Sequence, residues 1–500
     1  MLRARRLVHA LAVLISTAAC TTTGIGTTTP AASDQAQMVI PISTQSSTAR
    51  AEFLRGVYDL DVERPIEARE HFDRALAADP KFALGHLYAA FAAPSVADYR
   101  NHLDQAGLNI GSASPAEQFW IRAERAGADN DVNGQLALAQ QLVQLTPNDP
   151  RAYGYLAGAQ FNYGRRADAR VSLERATQLD GNFAPGWILI GNSYLQTEPR
   201  DVAKAETFVR RAVTLSPNEP YTHDYMGDVY RAVNNLPQAR AEYTRMIELD
   251  ASRAGAYQQR GHVNSFLGNF SEARADYDRA VQLADPGTKP TFAVYRALVN
   301  VYSGDPTAAE AELERIAASV DAMNIPNADG AKIFALSEET RIALHNRHLD
   351  VAQRAIDQMR PVLRHQAEMG RSDAIKRANE AQIDYWEGML AARRGDFTTA
   401  RNEAKDMMAQ VAPNQNPRKN EGAHELLGMA DLLQGNYPAA EAHLAQANPD
   451  DVYVWYNRGL ALEGAGRTAE AKEYFRRVAA WNFNNASAAL VKRDAASKAM

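Results

Sequence analysis

One cysteine, Cys20, stands in 500 residues. A single thiol excludes an internal disulfide, since that bond needs two. Long apolar runs are missing as well. The export-like segment LVHALAVLI near the start is too short to cross a bilayer, and no later stretch is apolar enough. Runs rich in Val, Ile and Thr with alternating polarity are almost absent, which argues against sheets. Neither charge sign dominates: 54 Lys and Arg against 60 Asp and Glu leave a net charge of −6. Nucleic acid binding, which needs a basic patch, is therefore unsupported. The basic pairs Arg210–Arg211 and Arg476–Arg477 stand near acidic neighbours and read as solvated helix faces. No HExxH, GxSxG, Walker or Rossmann fingerprint occurs.

What is present is periodic. Ala169, Ala205, Ala239 and Ala273 are spaced by 36, 34 and 34 residues, and Gly191, Gly227 and Gly261 keep step. Tyr153, Trp187, His223 and Tyr257 form a third series at 34, 36 and 34. Gly388, Gly428 and Gly459 return later at 40 and 31, matched by Ala400, Ala440 and Ala471. Good helix formers fill the intervals. In EAREHFDRALAADP (67–80), Ala68, Phe72 and Ala75 form one apolar stripe and Pro80 ends the helix. Ser114-Pro115-Ala116-Glu117 supplies a capping box with proline at the first helical position. The small residues belong where two helices cross closely. Large ones such as Trp187, Tyr243 and Tyr277 are expected between repeats.

A period of 34 with these marks resembles the tetratricopeptide repeat, a helix–turn–helix unit. The resemblance covers most of 49–485 and implies an all-α solenoid, a right-handed superhelix of stacked repeats. On this reading 49–320 is an N-terminal array and 321–380 an irregular helical joint. Residues 381–500 form a C-terminal array closed by a capping helix. An insertion at Thr197 to Arg200 should lengthen one turn. The resemblance also implies that first helices line a concave groove. By position that groove shows Asn162, Asn192, Tyr221, Asp224, Asp228, Arg231, Gln258, His262 and Phe266, a surface suited to a protein or peptide partner. As exposed residues, Asp224, Asp228, Arg231 and Gln258 should tolerate alanine within roughly ±0.5 kcal/mol. The carboxylate clamp of chaperone-binding members is not matched. Asn192 fits one asparagine, but Ile188, Tyr225, Gly255 and Gln259 hold the other clamp positions.

The first 48 residues read differently. MLRARR is basic, LVHALAVLI is apolar, and STAAC ends in the cysteine. This resembles the lipobox of bacterial lipoproteins, although Thr17 replaces the usual leucine. It implies a signal peptide over 1–19, lipidation of Cys20, and a tether over 20–48. Thr21 after the cysteine implies outer-membrane sorting, with the chain facing the periplasm. An ordinary signal peptide cleaved near Ala18 or Ala19 is the other reading. The tether is rich in Thr, Ser, Gly and Pro and is expected to be flexible, with Met38 to Ile42 as a short apolar patch that could dock.

Chemistry is sparse. His345 and His348 lie three apart on a helix and could reach one metal, but no third ligand is placed and a solvated pair is the better reading. His223 beside Asp224 fills an aromatic packing position. No catalytic residue, metal or cofactor is assigned. The expected function is a non-catalytic, envelope-anchored scaffold or adaptor. The alternatives are a structural subunit of an assembly, pilus, secretion or polysaccharide-export machine and, remotely, a cell-wall hydrolase.

Overall fold

The computed structural model describes residues 38–483 and 485–500. The signal segment 1–19, Cys20 and the first stretch of the tether lie outside them. The described residues hold 25 α-helices and no strand. Twenty-four of the helices form twelve successive hairpins, from Ser47–Asp61 with Pro65–Ala78 to Val452–Gly464 with Thr468–Ala479, and Ala486–Lys498 follows. No described helix is long and apolar enough to cross a membrane.

Each hairpin must reverse the chain within a few residues. Ten of the twelve turns do so with one residue at positive φ, a glycine in six: Gly164, Gly268, Gly304, Gly395, Gly435 and Gly466. Glycine meets no Cβ penalty there. The turn over 197–201 is longer, as the insertion implied.

The recurring glycines have a second partner besides the small alanines. A Cβ on Gly56 would meet the ring of Phe72, on Gly227 that of Tyr243, on Gly261 that of Tyr277, and on Gly459 that of Phe475. In each case the large residue lies sixteen positions later, on the second helix of the same hairpin. Tyr243 and Tyr277 therefore fill the crossing inside a repeat, rather than only the space between repeats. Ala239 and Ala273, on the same second helices, are fully buried.

Two compact units divide the chain: residues up to 226 with 245–253, and 227–244 with 254–500. The first is threaded by an aromatic series. Phe53 packs edge-on against Phe82 and Tyr88, Tyr88 meets Trp120, and Trp120 meets Tyr155. One ring per repeat passes the core along the stack.

The described end of the tether is not free. Ile40 is buried, and its backbone N–H donates to Asp149 at 3.0 Å. Ser43 donates to Glu117 from both its N–H and its hydroxyl, each at 3.0 Å, and Thr44 donates to Asp79. Asp149 and Glu117 are also helix caps. Asp149 accepts from Arg151 and Ala152, and Glu117 closes the capping box with Ser114. Each carboxylate thus spends one oxygen on a helix start and the other on the strap. A carboxylate accepts at both oxygens, which allows this.

In the second unit the stretch 321–380 is more regular than its sequence suggests. Ala328–Asn346 and Leu349–Gly370 form a hairpin of 19- and 22-residue helices, and Asp373–Arg394 adds another of 22. Helices longer than those of the neighbouring repeats break the period without breaking the architecture.

Candidate functional site

The face expected to hold a partner carries segments of the chain itself. In the first unit the turn of the first hairpin reaches that face. Tyr58 and Arg64 both donate to Glu219, at 3.1 and 3.2 Å, and Tyr225 donates to Glu63 at 2.8 Å. Arg151 forks onto both oxygens of Asp61. Tyr221 is buried among these groups. Burial, then the charge of Asp61, holds its hydroxyl well above the ordinary tyrosine range. Asn192 and Asp224 are also buried, and Asn162 is half-buried with its amide donating to Gln135 at 3.0 Å. Deeper in the unit, Glu124 accepts from Tyr99 and Tyr155 at 2.6 and 3.0 Å, and burial raises its pKa.

In the second unit Arg231 is 1% exposed and Asp228 3%. They pair at 3.0 Å, and Tyr243 donates to the same Asp228 oxygen at 2.7 Å. Arg231 also donates to Gln259 at 3.3 Å and, through Nε, to the backbone carbonyl of Asn482 at 2.8 Å. The side-chain amide of Asn482 returns the bond, reaching the carbonyl of Arg231 at 3.0 Å and Asn234 at 2.8 Å. The Arg231 guanidinium lies 4.8 Å from the ring centre of Phe483 and 5.5 Å from that of Phe266. Lys492 donates to the carbonyls of Ala479 and Trp481 and to the side chain of Asn482. No carboxylate is among these partners, and burial pushes the Lys492 pKa down to about 8. Glu338 accepts from the first N–H of Ala486–Lys498 at 3.0 Å. That last helix packs on Lys289–Ser303, Ala328–Asn346 and Val452–Gly464 as well as on its chain neighbour.

The expected open groove is corrected accordingly. Asp228, Arg231, Gln258 and His262 are buried in a polar network, with Gln258 on His262 at 3.0 Å and His262 on the Tyr277 hydroxyl at 2.6 Å. Phe266 is half-buried and packs edge-on against Tyr302. Alanine at Asp228, Arg231 or Gln258 would leave buried partners unmatched, so the expected tolerance does not hold. The sequence signal for this was thin. Asn482 and Phe483 follow the last repeat with no periodic mark.

The paired histidines also separate. His345 meets the Tyr453 hydroxyl at 3.0 Å, and burial, then Arg393, lowers its pKa to about 4. His348 instead meets both oxygens of Glu310 at 2.9 Å. No group of three or more metal-ligating side chains is arranged for an ion among the described residues. His223 is packed as expected, its Nε2 on the carbonyl of Pro217 at 2.9 Å.

One buried acid has no such partner. Glu339 is 3% exposed and its Oε2 lacks a hydrogen bond. Burial, then Glu314 and Glu310, pushes its pKa up to about 8. The folded state therefore keeps a proton that the unfolded chain has lost. Stability should be full below about pH 4.5 and decline as pH rises towards 8. Glu339→Gln is expected to melt higher than the parent at pH 8 and with it at pH 4. Thermal melts at both values check this, and equal slopes would refute it.

Residues 254–285 and 425–485 match models of the tetratricopeptide repeat. The chain carries tetratricopeptide repeats. Over 184 residues, 34% of its length, it is 29% identical to "Cellulose synthase operon protein C" of Xanthomonas axonopodis pv. citri (strain 306). The match spans 12% of that relative's length. Among solved structures, a thermophilic repeat protein of Thermus thermophilus is 19% identical with a TM-score of 0.31, covering 36% of this chain and 98% of that one. The APC/C hetero-tetramer Cut9-Hcn1 is 15% identical with a TM-score of 0.43, covering 91% of this chain and 78% of that one.

Proposed function

We propose that this chain is a non-catalytic protein-binding scaffold of the bacterial envelope, facing the periplasm and held at the outer membrane through lipidated Cys20. The observation that carries the scaffold reading is the array itself: twelve hairpins that present side chains in rows and hold extended segments of their own chain by hydrogen bonds to named side chains. Stacked hairpins of this kind build long surfaces for peptides. The N-terminal basic, apolar and small-residue order supports the anchor. The likeness to a cellulose synthase operon protein favours one setting, a machine that makes or exports a polysaccharide.

Two experiments test this. Cys20→Ala is expected to leave the membrane fraction or to accumulate unprocessed; unchanged processing and fractionation reject the anchor. A photoreactive amino acid at Tyr257, a half-buried position on a first helix, is expected to trap an envelope protein of a polysaccharide machine in living cells. Adducts confined to unrelated proteins reject that setting.

A further inference from the structure

The contacts of Asn482 and Phe483 are those of a bound peptide, formed across 251 residues of chain. Arg231 reads a backbone carbonyl of the segment, while the Asn482 amide reads a backbone carbonyl of the face and the Asn234 side chain. Both members of each exchange are satisfied, so an asparagine is specified there rather than merely tolerated. Phe483 then lies against the guanidinium, a cation–π contact that selects an aromatic.

The helix that follows is held by polar bonds along its length: Asp494 accepts from Tyr456 at 2.5 Å, Arg493 donates to the Tyr302 carbonyl at 3.1 Å, and Lys498 pairs with Glu463 at 2.8 Å. Ala486–Lys498 buries Ala486, Ser487, Ala488, Ala489, Val491 and Ala495, nearly all of them small. Apolar stabilisation scales with the area removed from water, and alanine removes little. Its start is held by a single bond to Glu338 and its own Asn485 cap. Specific polar anchors over a row of small side chains describe a segment docked on the unit's core.

We infer that Asn482, Phe483 and the helix Ala486–Lys498 form an intramolecular ligand of the second unit. The face bearing Arg231, Asn234 and Phe266 takes in exchange a partner peptide of the same chemistry, an asparagine followed by an aromatic residue. This rests on the scaffold reading but not on the anchor or on any polysaccharide setting. Its test uses purified protein alone, so failure in cells and failure in the titration are separate results.

The probe is a fluorescein-labelled peptide of residues 478–500, titrated into the full chain and into its Asn482→Ala/Phe483→Ala variant. A segment that fills its own site lowers the apparent affinity for a competitor by the fraction of time the site is open. Release should therefore tighten peptide binding by about tenfold or more. A peptide carrying the same two alanines should not bind. In the wild-type chain, excess peptide should speed amide exchange in 486–498 while Val452–Gly464 stays protected, which needs no variant to fold. Absence of saturable binding together with unchanged exchange would overturn the proposal. So would concentration-dependent dimers that trade the helix between copies, which would assign the face to a second copy of this chain.

Discussion

Arg231→Met is expected to destabilise the second unit by about 3–5 kcal/mol, the range seen when one partner of a buried ion pair is removed. The loss has three sources. Asp228 keeps only Tyr243 among the partners described above and stays buried with its charge. The carbonyl of Asn482 loses its donor, and Gln259 loses another. Phe483 loses the cation against its ring. Removing both charges is a different matter, because the penalty of a buried carboxylate that has lost its cation disappears with it. Arg231→Met/Asp228→Leu should recover most of the stability. Amide exchange in Ala254–Leu267 and Ala486–Lys498 would report the change by unit, which a single melting temperature of a 500-residue chain would blur. An Arg231→Met protein with parental exchange would show that the buried pair contributes nothing.

Gly227→Ala is expected to cost about 2–3 kcal/mol, whereas Gly261→Ala should cost less than about 1 kcal/mol. The two glycines hold the same place in neighbouring repeats, so the contrast isolates one distance. A Cβ at Gly227 would lie 2.4 Å from Cε1 of Tyr243, and at Gly261 3.1 Å from Cζ of Tyr277. The first demands a real displacement. Both rings are held through their hydroxyls, Tyr243 by Asp228 and Tyr277 by His262, so neither moves away freely and the distance decides. The second needs a few tenths of an ångström, and the gain in helix propensity of alanine over glycine, about 1 kcal/mol, offsets much of it. Denaturant midpoints of the two variants check the order. If Gly261→Ala were the worse, the closer approach of Tyr243 would not be what sets the cost.

The helices were legible because their spacing follows from packing. A glycine that faces a ring sixteen positions on recurs in four of the hairpins, and Gly227 and Gly261 announce it. The longer helices over 321–380 were harder to place, since a helix of 22 residues carries no marker at the repeat period. The site was least legible, for a physical reason. Asp228, Arg231 and Gln258 are polar, and polar side chains on amphipathic helices are normally solvated. Nothing local reveals that Asn482, 251 residues later, returns to cover Arg231. The docking of Ile40 was suggested by an apolar patch, but the carboxylates that receive the strap, Asp149 and Glu117, looked like ordinary caps because they are caps as well.

That sharing sets the path of a mechanical load. A pull on the chain ahead of residue 40 does not act first on the opening helix Ser47–Asp61. It reaches Ile40 and Asp149, then Ile42 and Arg50, then Ser43 and Glu117, then Thr44 and Asp79, in the order of the chain. Tension is therefore handed first to the start of a later hairpin, Pro150–Tyr163, and then divided between the opening helix and the start of Pro115–Ala128. The strap thus spreads a pull over three hairpins instead of concentrating it on the first.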